Sequence, residues 1–458
     1  MSEEYDLVVI GAGSAGLPAA GLAHELGARV VLVEAARVGG DCTWTGCVPS
    51  KALLQAARVA NLTRTADRYG IPAREPVVDL AAVMSEVKAA VARVYESESV
   101  ERLRAAGLEV VLGPARFLDP HTVEAGGRRL RGRRFLICTG AEPEIPAVEG
   151  LEETPHLTYL DIYDLSSLPG RLAVLGSGPV GCELAQAFCR LGSKVTLLET
   201  ADRMLPIAPP EVGDILVEAF EEEGMEVQTA VEVRAVRRAA DGVVLSTTAG
   251  ELAADRLLVA GGRRPRTAGL DLDLAGVRLA GGAIEVDGNL RTSQPHIYAA
   301  GDVTGSFQFT HYAGWQGFQA ARNALLPGSS GGLRETVPWA VFTDPEVAQV
   351  GSQTGELHEW PLARHDRAQA AGLRRGLVRV YSDQQGHVTG AVICLEAAAE
   401  LINELAVAIE ARLKLKDLAS VIHIYPSFGF PLQQLAAEAT VRDSLGGLRG
   451  RLLKTLVR

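Results

Sequence analysis

The chain has 458 residues, of which 47% are hydrophobic and 22% are charged, and its formal net charge is −11. This is the balance of an ordinary globular protein, and the length suggests about three domains of about 150 residues each. The acidic charge and the lack of a basic stripe argue against a nucleic-acid partner. The N-terminus combines an acidic start with a short apolar run, which is typical of neither a signal peptide nor a membrane span. We therefore expect a soluble, cytoplasmic protein with no membrane partner.

The first predicted element is a dinucleotide-binding turn. Residues 5–10, YDLVVI, read as a buried parallel strand, which the turn Gly11-Ala-Gly13-Ser-Ala-Gly16 joins to a helical run. A second apolar run, RVVLVE, ends in Glu34 at the offset of about twenty residues that a dinucleotide fold requires. Gly11 and Gly13 let the backbone approach a pyrophosphate, and Gly16 lets the helix and strand pack closely. Glu34 is predicted to accept hydrogen bonds from the ribose hydroxyls.

Two cysteines follow, Cys42 and Cys47, within the stretch GGDCTWTGCVPSKALL. Six cysteines are too few for a stapling disulfide framework in a chain of this length. A zinc site needs two more ligands, and no second cysteine pair or histidine cluster lies nearby in the sequence. Residues 48–60 have helical periodicity, which puts Cys47 at or just before a helix N-terminus, where the macrodipole favours a thiolate. The pair is therefore predicted to be redox-active.

The strand, glycine turn, helix and strand then occur a second time, over residues 171–199. The glycines are Gly176, Gly178 and Gly181, and the second strand is followed by Glu199. Two dinucleotide units imply two dinucleotides, as in a redox enzyme with two electron carriers. A carboxylate at position 199 accepts the 2′-hydroxyl of NAD and repels the 2′-phosphate of NADP, which favours NADH. Arg203 either softens that preference or is a surface arginine.

The last part of the chain reads as a separate domain. The glycine-serine patch PGSSGG at residues 327–332 predicts a linker. Beyond it, GLVRVYSD and HVTGAVICL predict antiparallel strands joined by a QQG turn, and AAELINELAVAIEARL predicts an amphipathic helix. The four cysteines outside the pair lie in apolar contexts and are predicted to be core residues without chemistry: Cys138, Cys182, Cys189 and Cys394.

Together these motifs resemble the pyridine nucleotide-disulfide oxidoreductases, in the family's order and over nearly the whole chain. Within that family the chain is most similar to mercuric reductase and its relatives, and more distantly to dihydrolipoamide dehydrogenase and glutathione reductase. The motifs are the two glycine turns, Gly39-Gly-Asp-Cys42 through Cys47-Val-Pro-Ser-Lys51, Cys138-Thr-Gly140, Gly262-Arg-Arg-Pro265, Tyr298-Ala-Ala-Gly-Asp302 and Phe342-Thr-Asp-Pro-Glu346.

The resemblance implies an α/β fold with two doubly wound, Rossmann-like dinucleotide-binding domains and an α+β C-terminal dimerisation domain. The FAD-binding domain would comprise residues 1–148 and 268–330, and the NAD(P)-binding domain residues 149–267. The dimerisation domain would comprise residues 334–458. A homodimer is the implied assembly, with FAD as cofactor and NADH, or alternatively NADPH, as the electron donor.

The resemblance also implies roles for individual residues. Cys42 would be the thiol that meets the substrate, and Cys47 the thiol against the flavin. Lys51 would lie near the reactive flavin nitrogen and pair with Glu183, and Asp302 would accept from the ribitol chain. Each of these three has an ordinary alternative, as a solvated lysine, a first-turn helix acid and a turn residue. Cofactor contacts are further implied for Thr139, Gly140, Gly262 and Thr310.

One segment near the C-terminus departs from the family pattern. Disulfide reductases of the family have a His-x-His-Pro-Thr-x-x-Glu segment, in which the second histidine moves the substrate's proton and the glutamate orients it. This chain reads His423-Ile-Tyr425-Pro-Ser-Phe-Gly-Phe430. Tyr425 takes the acid-base position and Phe430 replaces the carboxylate. A phenol with a pKa near 10 is a poor base at neutral pH.

Three functions stay open at this point. The first is a mercuric reductase-like enzyme that reduces a metal ion or another small acceptor, since an ion bound by thiolates has no leaving thiol to protonate. Mercuric reductases also carry a C-terminal vicinal cysteine pair and often an N-terminal metal-binding domain, and neither is found in this sequence. The second is a disulfide reductase in which His423 or Tyr425 moves the proton, and the third is a slow redox-sensing flavoprotein. A basic tail reads as a solvated helix or a docking segment, with Arg449, Arg451, Lys454 and Arg458.

Overall fold

A computed structural model describes residues 4–445, so the basic tail lies outside the described residues. The chain forms two units. One comprises the chain through Gly176 together with Ala187–Leu198 and Val231–Arg334. The other comprises Ser177–Gln186, Glu199–Ala230 and the chain from Glu335 onward. The domain limits that the sequence suggests stay predictions.

The N-terminal part follows the predicted order of buried strand, glycine turn and helix. All four residues of the first strand are buried, as expected for a parallel strand covered on both faces. The elements through residue 176 are β1 Leu7–Ile10, α1 Gly16–Glu25, β2 Val30–Glu34, α2 Gly40–Trp44, α3 Cys47–Arg64, α4 Leu80–Glu98, α5 Val100–Ala105, β3 Glu109–Leu112, β4 Ala115–Asp119, β5 Thr122–Ala125, β6 Arg128–Arg131, β7 Phe135–Ile137, β8 Ala141–Pro143 and β9 Arg171–Leu175.

The middle of the chain begins with the second glycine turn and its helix. It continues into short strands and ends in a long helix that starts at Thr310, one of the residues predicted to contact the cofactor. The elements are α6 Pro179–Leu191, β10 Lys194–Leu198, α7 Pro210–Glu222, β11 Glu226–Gln228, β12 Val233–Ala239, β13 Gly242–Thr247, β14 Gly250–Ala254, β15 Arg256–Val259, β16 Arg263–Pro265, α8 Leu272–Ala275, β17 Leu279–Ala280, β18 Ala283–Ile284, β19 Ile297–Ala299 and α9 Thr310–Leu325.

The C-terminal part is a sheet followed by helices, as the sequence predicts. The elements are β20 Trp339–Val341, β21 Glu346–Gly351, β22 Glu356–Glu359, α10 Asp366–Ala370, β23 Leu377–Ser382, β24 Val388–Leu395, α11 Ala398–Glu410, α12 Leu415–Ser420 and α13 Phe430–Leu445. The predicted hairpin is confirmed, because β23 and β24 pair antiparallel with Leu377 opposite Cys394. The predicted amphipathic helix is α11.

A five-stranded parallel sheet, in the order β19-β7-β1-β2-β3, carries the first glycine turn. Its register puts Leu7 opposite Val30 and Val8 opposite Phe135. The second glycine turn follows β9, which pairs parallel with β10 and β15. Each turn therefore lies at the carboxyl ends of the parallel strands of its own sheet. Ligands of such folds bind at that edge. The predicted α/β class is confirmed.

The C-terminal sheet is antiparallel throughout, in the order β20-β21-β24-β23-β22. Its core packs α11, α12 and α13 against the strands through residues that include Ile402, Leu405 and Leu435. Along residues 4–445, no helix combines the length and the apolar character that a membrane crossing requires.

Candidate active site

The loop that carries the two cysteines is held by an aromatic anchor. Cys42 lies in α2, and Cys47 is the first residue of α3, which confirms the prediction of a cysteine at a helix N-terminus. Between them, Trp44 donates from Nε1 to the carbonyl oxygen of Val38 at 2.7 Å. The indole ring also lies 4.8 Å from the ring of Tyr95. These two contacts restrain the turn, and the sulfurs of Cys42 and Cys47 lie within hydrogen-bonding reach of one another.

The two thiols have different surroundings. Both cysteines are half-buried thiols in the structure, and Thr310 Oγ1 lies 3.0 Å from Cys47 Sγ. The hydrogen bond with Cys47, followed by burial, raises the pKa of Cys42 far above its usual range, against weaker lowering by Thr310 and Ser14. Cys42 therefore stays a neutral thiol. Cys47 is the first residue of the 18-residue helix α3, where the macrodipole favours a thiolate.

A charged cluster forms around Asp41, the residue before Cys42. Arg263 Nη2 lies 3.0 Å from Asp41 Oδ2 and 3.1 Å from Asp302 Oδ2. Tyr159 donates its hydroxyl to Asp41 Oδ2 at 3.2 Å, and the Arg263 guanidinium lies over its ring at 5.2 Å. Burial raises the pKa of Asp302, although Arg263 opposes the shift. Within residues 4–445, Arg263 Nε is buried without a hydrogen-bond partner, which fits an acceptor supplied by a bound cofactor.

The first glycine turn fits a dinucleotide. Gly11 has a φ of +103°, and a Cβ atom there would lie 2.2 Å from the carbonyl oxygen of Cys138. Only glycine allows this approach, which leaves the turn open toward the N-terminus of α1 for a pyrophosphate. Glu34 Oε2 accepts from the Ala12 N–H at 2.8 Å, and Oε1 from the Ala36 N–H at 2.7 Å. The predicted residues of this turn thus form a cradle that suits FAD.

The second glycine turn repeats this geometry. Gly176 has a φ of +104°, and a Cβ atom there would lie 2.5 Å from the carbonyl oxygen of Ala260. Gly178 immediately precedes α6, and Gly181 lies in the first turn of that helix. A helix N-terminus and an open glycine turn are what a second pyrophosphate requires.

Glu199, at the end of this second motif, is more heavily bonded than its counterpart Glu34. Its Oε2 accepts from the backbone N–H and the hydroxyl of Ser177, both at 2.8 Å. Its Oε1 accepts from the Ala201 N–H at 2.8 Å and from the Thr200 hydroxyl at 3.1 Å. Burial would raise the pKa of Glu199, but these hydrogen bonds lower it. The carboxylate is ionised, and its four lone-pair positions are filled.

The remaining predicted cofactor residues lie where β8 pairs with β16. Thr139 donates its hydroxyl to the carbonyl oxygen of Arg266 at 2.7 Å, and Arg266 donates its N–H to the carbonyl oxygen of Gly140 at 2.9 Å. Gly262 accepts at its carbonyl oxygen from the Glu144 N–H at 3.0 Å. These bonds order the loop that the Cys138-Thr-Gly140 and Gly262-Arg-Arg-Pro265 motifs build.

Lys51 and Glu183 are each placed by their helices. Lys51 lies on α3, one turn after Cys47, and its Nζ donates to the Ser50 hydroxyl at 3.4 Å. Glu183 is buried on α6, and its Oε1 accepts from the Phe342 N–H at 3.0 Å. Their predicted pairing stays a prediction.

Arg203 is held locally, near the end of the second dinucleotide motif. Its Nη2 donates to the carbonyl oxygen of Pro206 at 3.4 Å, and its Nη1 lies 3.6 Å from Asp202 Oδ1. The side chain is 41% exposed. Both readings of the sequence, a surface arginine and a nucleotide-binding cation, are compatible with this position.

Tyr425 lies in the segment between α12 and α13. Its side chain is 60% exposed, and its hydroxyl donates to Asp366 Oδ2 at 3.1 Å. The hydrogen bond to Asp366 raises the pKa of the phenol. The ring of Phe430, at the position of the family's glutamate, meets the Tyr425 ring edge-on at 5.2 Å.

His423, the alternative proton carrier, is engaged at both ring nitrogens. Nε2 lies 2.8 Å from Glu404 Oε1, and Nδ1 lies 3.0 Å from the carbonyl oxygen of Val421. Both ring nitrogens are therefore already engaged by groups of the chain itself, and the side chain is only 9% exposed.

Five residues of these clusters were not predicted to have a role: Asp41, Tyr159, Arg263, Asp366 and Glu404. Two of them stand inside recognised motifs, Asp41 beside Cys42 and Arg263 after Gly262. Their opposite charges were the signal from which an ion pair between the two motifs was predictable. Tyr159 lies in no motif. The partners of Tyr425 and His423 come from 59 and 19 residues away in the chain, where no local pattern marks them.

Comparison with known proteins identifies the family. The family model described as pyridine nucleotide-disulphide oxidoreductase matches residues 5–317, and the dimerisation domain of the same family matches residues 337–435. The chain is 38% identical to a mercuric reductase of Acidithiobacillus ferrooxidans, over 96% of this chain and 83% of that protein. It is 35% identical to a dihydrolipoyl dehydrogenase of Thermus scotoductus, over 96% and 98%.

Among solved structures, the chain is similar to the Cu(II) complex of the HOCl-induced flavoprotein disulfide reductase RclA from Escherichia coli. The TM-score is 0.85 at 29% identity, covering 95% of this chain and 99% of that one. It is likewise similar to LpdA from Mycobacterium tuberculosis, with a TM-score of 0.86 at 30% identity over 94% and 99% of the two chains. The chain therefore belongs to the pyridine nucleotide-disulfide oxidoreductase family, and it is an FAD-dependent oxidoreductase that draws its electrons from a nicotinamide nucleotide.

Proposed function

We propose that this oxidoreductase passes two electrons from NADH, by way of FAD and the pair Cys42 and Cys47, to a thiophilic metal ion such as Hg(II) or Cu(II). With mercury, NADH and Hg(II) give NAD⁺, a proton and Hg(0). With copper, NADH and two Cu(II) give NAD⁺, a proton and two Cu(I). The flavin, when bound, supplies the conversion of a hydride into an electron pair for the sulfurs.

The observation that carries the proposal is the state of the C-terminal segment. Reduction of a disulfide needs a group that deprotonates one thiol and protonates another. Both ring nitrogens of His423 already lie within hydrogen-bond distance of acceptors in the chain, and Tyr425 is a phenol whose pKa Asp366 raises further. His423 would have to release a partner before it took a substrate proton, and the phenol is a poor base at neutral pH. A metal ion bound by sulfur needs no such proton transfer.

The relatives support the same acceptor class. Mercuric reductases of Acidithiobacillus ferrooxidans and Streptomyces lividans are 38% and 36% identical to this chain. The RclA structure with a similar fold is a complex with Cu(II). Hg(II) is a soft ion that prefers sulfur ligands, and copper becomes one on reduction to Cu(I); the half-buried pair provides two sulfur ligands.

In this proposal each sulfur has a separate task. Cys47 is the thiolate that faces the flavin, and Cys42 is the thiol that meets the metal ion. The raised pKa of Cys42 supports that division, because a neutral Cys42 loses its proton when a metal ion replaces it. Lys51 and Glu183 keep the flavin-side roles that the family resemblance implies.

We further propose that the chain acts as a cytoplasmic homodimer, with residues 1–148 and 268–330 binding FAD and residues 149–267 binding NAD(P)H. The dimerisation domain, residues 334–458, would bring Tyr425 of the partner subunit to the metal ion. NADH is the proposed donor, because Glu199 is ionised and would repel a 2′-phosphate. NADPH is the alternative donor, through Arg203.

A second candidate function is reduction of a disulfide. The dihydrolipoyl dehydrogenase of Thermus scotoductus, 35% identical and of nearly the same length, favours it. Under this function His423 would have to release one of its two acceptors, so His423→Asn would abolish activity toward disulfides. A redox sensor with slow turnover is the third candidate, and it would show full flavin reduction with slow reoxidation by every acceptor.

The test is anaerobic reduction with NADH, followed by mixing with Hg(II), Cu(II), lipoamide, glutathione disulfide or a quinone while flavin absorbance is recorded. We expect fast reoxidation by a metal ion and reoxidation by disulfides slower by about a hundredfold or more, the typical contribution of a general acid-base catalyst. Fast reoxidation by lipoamide or glutathione disulfide and slow reoxidation by both metals would contradict the proposal.

Tyr425→Phe provides the second arm of the test. It should slow reoxidation by the metal ion and leave reduction by NADH unchanged, because the hydroxyl acts only on the acceptor side. Tyr69→Phe is the matched control, since Tyr69 is also an exposed tyrosine, at 52%. Equal effects of the two substitutions would remove Tyr425 from the proposed mechanism.

A further inference from the structure

Three contacts tie the Tyr425 segment to the start of α10. Tyr425 donates its hydroxyl to Asp366 Oδ2 at 3.1 Å. The ring of Phe428 lies edge-on to the ring of His365, 5.7 Å away, and the guanidinium of Arg367 lies over the same Phe428 ring at 4.9 Å. Consecutive residues of one helix start therefore hold both ends of a four-residue stretch.

The start of α10 is itself fixed. His365 is buried, and its Nδ1 accepts from the Ala368 N–H at 3.4 Å, which caps the helix. Asp366 is the next residue and is exposed. His365 thus fixes the backbone that carries Asp366, and the Asp366 carboxylate is placed against Tyr425 by the hydrogen bond from the phenol.

The direction of the hydrogen bond decides what Tyr425 presents to an acceptor. A phenol has one hydrogen to donate and lone pairs to accept. Because Asp366 takes that hydrogen, the Tyr425 oxygen offers lone pairs to its other neighbours, and the carboxylate behind it adds a negative charge. A cation is attracted by both features, whereas an anion is repelled by both.

We propose that Asp366 is a positioning and specificity residue that orients the Tyr425 hydroxyl and selects cationic over anionic electron acceptors. In the family, a glutamate at the position of Phe430 orients the histidine at the position of Tyr425. Here Asp366, from a different element, would orient the phenol instead. This inference rests on the proposed function, because it presumes that Tyr425 of the partner subunit faces the acceptor.

The test compares two acceptors of opposite charge that both react at sulfur. Cu(II) is the cation, and 5,5′-dithiobis(2-nitrobenzoate) is an anionic disulfide. Asp366→Asn keeps the shape and removes the charge. We expect it to raise the KM for Cu(II) about three- to tenfold and to lower the KM for the anionic disulfide, since partly exposed charges interact weakly to moderately. The rate of flavin reduction by NADH should not change.

Two control variants separate a specific effect from a general one. Asp366→Glu restores the charge and should recover most of the lost preference for Cu(II). Asp214→Asn changes the net charge equally, at an exposed position of α7, and should move neither KM. Both KM values moving in the same direction, or Asp214→Asn matching Asp366→Asn, would overturn the inference.

The failure of this inference is distinguishable from that of the proposed function. If the wild type reduces no metal ion, the proposed function is wrong, and the anionic disulfide alone then tests the charge of Asp366. An unchanged KM for that disulfide in Asp366→Asn would refute the role of Asp366 by itself.

Discussion

The two dinucleotide motifs have the same glycine geometry, but they differ in the carboxylate that ends each of them. Within the described residues, Glu34 accepts two backbone N–H groups and Glu199 accepts four donors, two of them the hydroxyls of Ser177 and Thr200. A carboxylate has about four acceptor positions. Glu34 thus keeps room for two ribose hydroxyls, whereas Glu199 must release a bond to accept one.

This difference suits the two ligands that the family uses. A cofactor that stays bound gains from a carboxylate with open positions, because no protein bond is lost on binding. A nucleotide that must leave in every turnover dissociates faster when the carboxylate re-forms its own hydrogen bonds, here those from the hydroxyls of Ser177 and Thr200 to Glu199. We therefore expect tight binding at the first motif and fast exchange at the second.

The largest expected effect comes from the sulfur pair, which follows the first dinucleotide motif in the chain. Cys42→Ser should lower metal-ion reduction by about a thousandfold or more, as removal of an essential nucleophile does. Reduction of the flavin by NADH should remain. Cys47→Ser should in addition abolish the long-wavelength absorbance band expected from a thiolate beside the flavin.

Cys394→Ala, which removes a buried thiol in β24, is the control for both cysteine variants. It should retain activity and the absorbance band. If Cys42→Ser and Cys394→Ala reduced metal ions equally well, the pair would not be on the electron path.

The second effect comes from the matched glycines. Gly11→Ala should weaken FAD binding by roughly 5- to 150-fold, because backbone strain of about 1–3 kcal/mol opposes the bound turn. Gly176→Ala should leave the protein yellow and weaken NADH binding by a similar factor. Released flavin and NADH titration measure the two affinities. Loss of FAD from Gly176→Ala would show that the motifs are not independent.

The third effect concerns the choice of nucleotide. Glu199→Ala should narrow the preference for NADH over NADPH by about tenfold, since a hydrogen bond to a charged group contributes about 1.5–3 kcal/mol. The ratio of kcat/KM values for the two nucleotides measures it. Glu34→Ala is the counterpart and should loosen FAD without changing that ratio. A wild type that strongly prefers NADPH would assign the choice to Arg203 instead.

The smallest effect makes the second motif more like the first. Thr200→Ala removes an exposed hydroxyl and frees one acceptor position on Glu199. We expect the KM for NADH to fall about two- to threefold, because the ribose hydroxyl no longer has to displace the Thr200 hydroxyl. This factor corresponds to the lower end of the net free energy of one hydrogen bond. Thr200→Ser keeps the hydroxyl and should behave as the wild type. A rise in KM for Thr200→Ala would mean that the Thr200 hydroxyl itself contacts the nucleotide.

Much of the fold was predictable because its signals are local. The turn at Gly11, the strand before it and Glu34 after it lie within 30 residues, and a helix start at Cys47 follows from the periodicity of the next thirteen residues. Each of these depends on backbone geometry that a short segment sets by itself. The same holds for the hairpin of β23 and β24.

The partners of the reactive groups were not predictable, because long-range contacts set them. Asp41 meets Arg263 across 222 residues, and Tyr425 meets Asp366 across 59. Phe430 at the position of the family's glutamate predicts that the family's usual dyad is absent, and that stays a prediction. It carried no information that a carboxylate from another helix would reach the phenol.

The anchor between the cysteines has an optical consequence. Trp44 lies two residues after Cys42 and three before Cys47, and its indole is held by the hydrogen bond from Nε1, by the Tyr95 ring and by the Arg37 guanidinium 4.6 Å from the ring centre. Indole emission responds to nearby sulfur and to small changes in its surroundings. The chain therefore carries a built-in fluorophore inside its own redox loop, and with the other three tryptophans replaced by phenylalanine its emission would follow the oxidation state of the sulfurs without any added label.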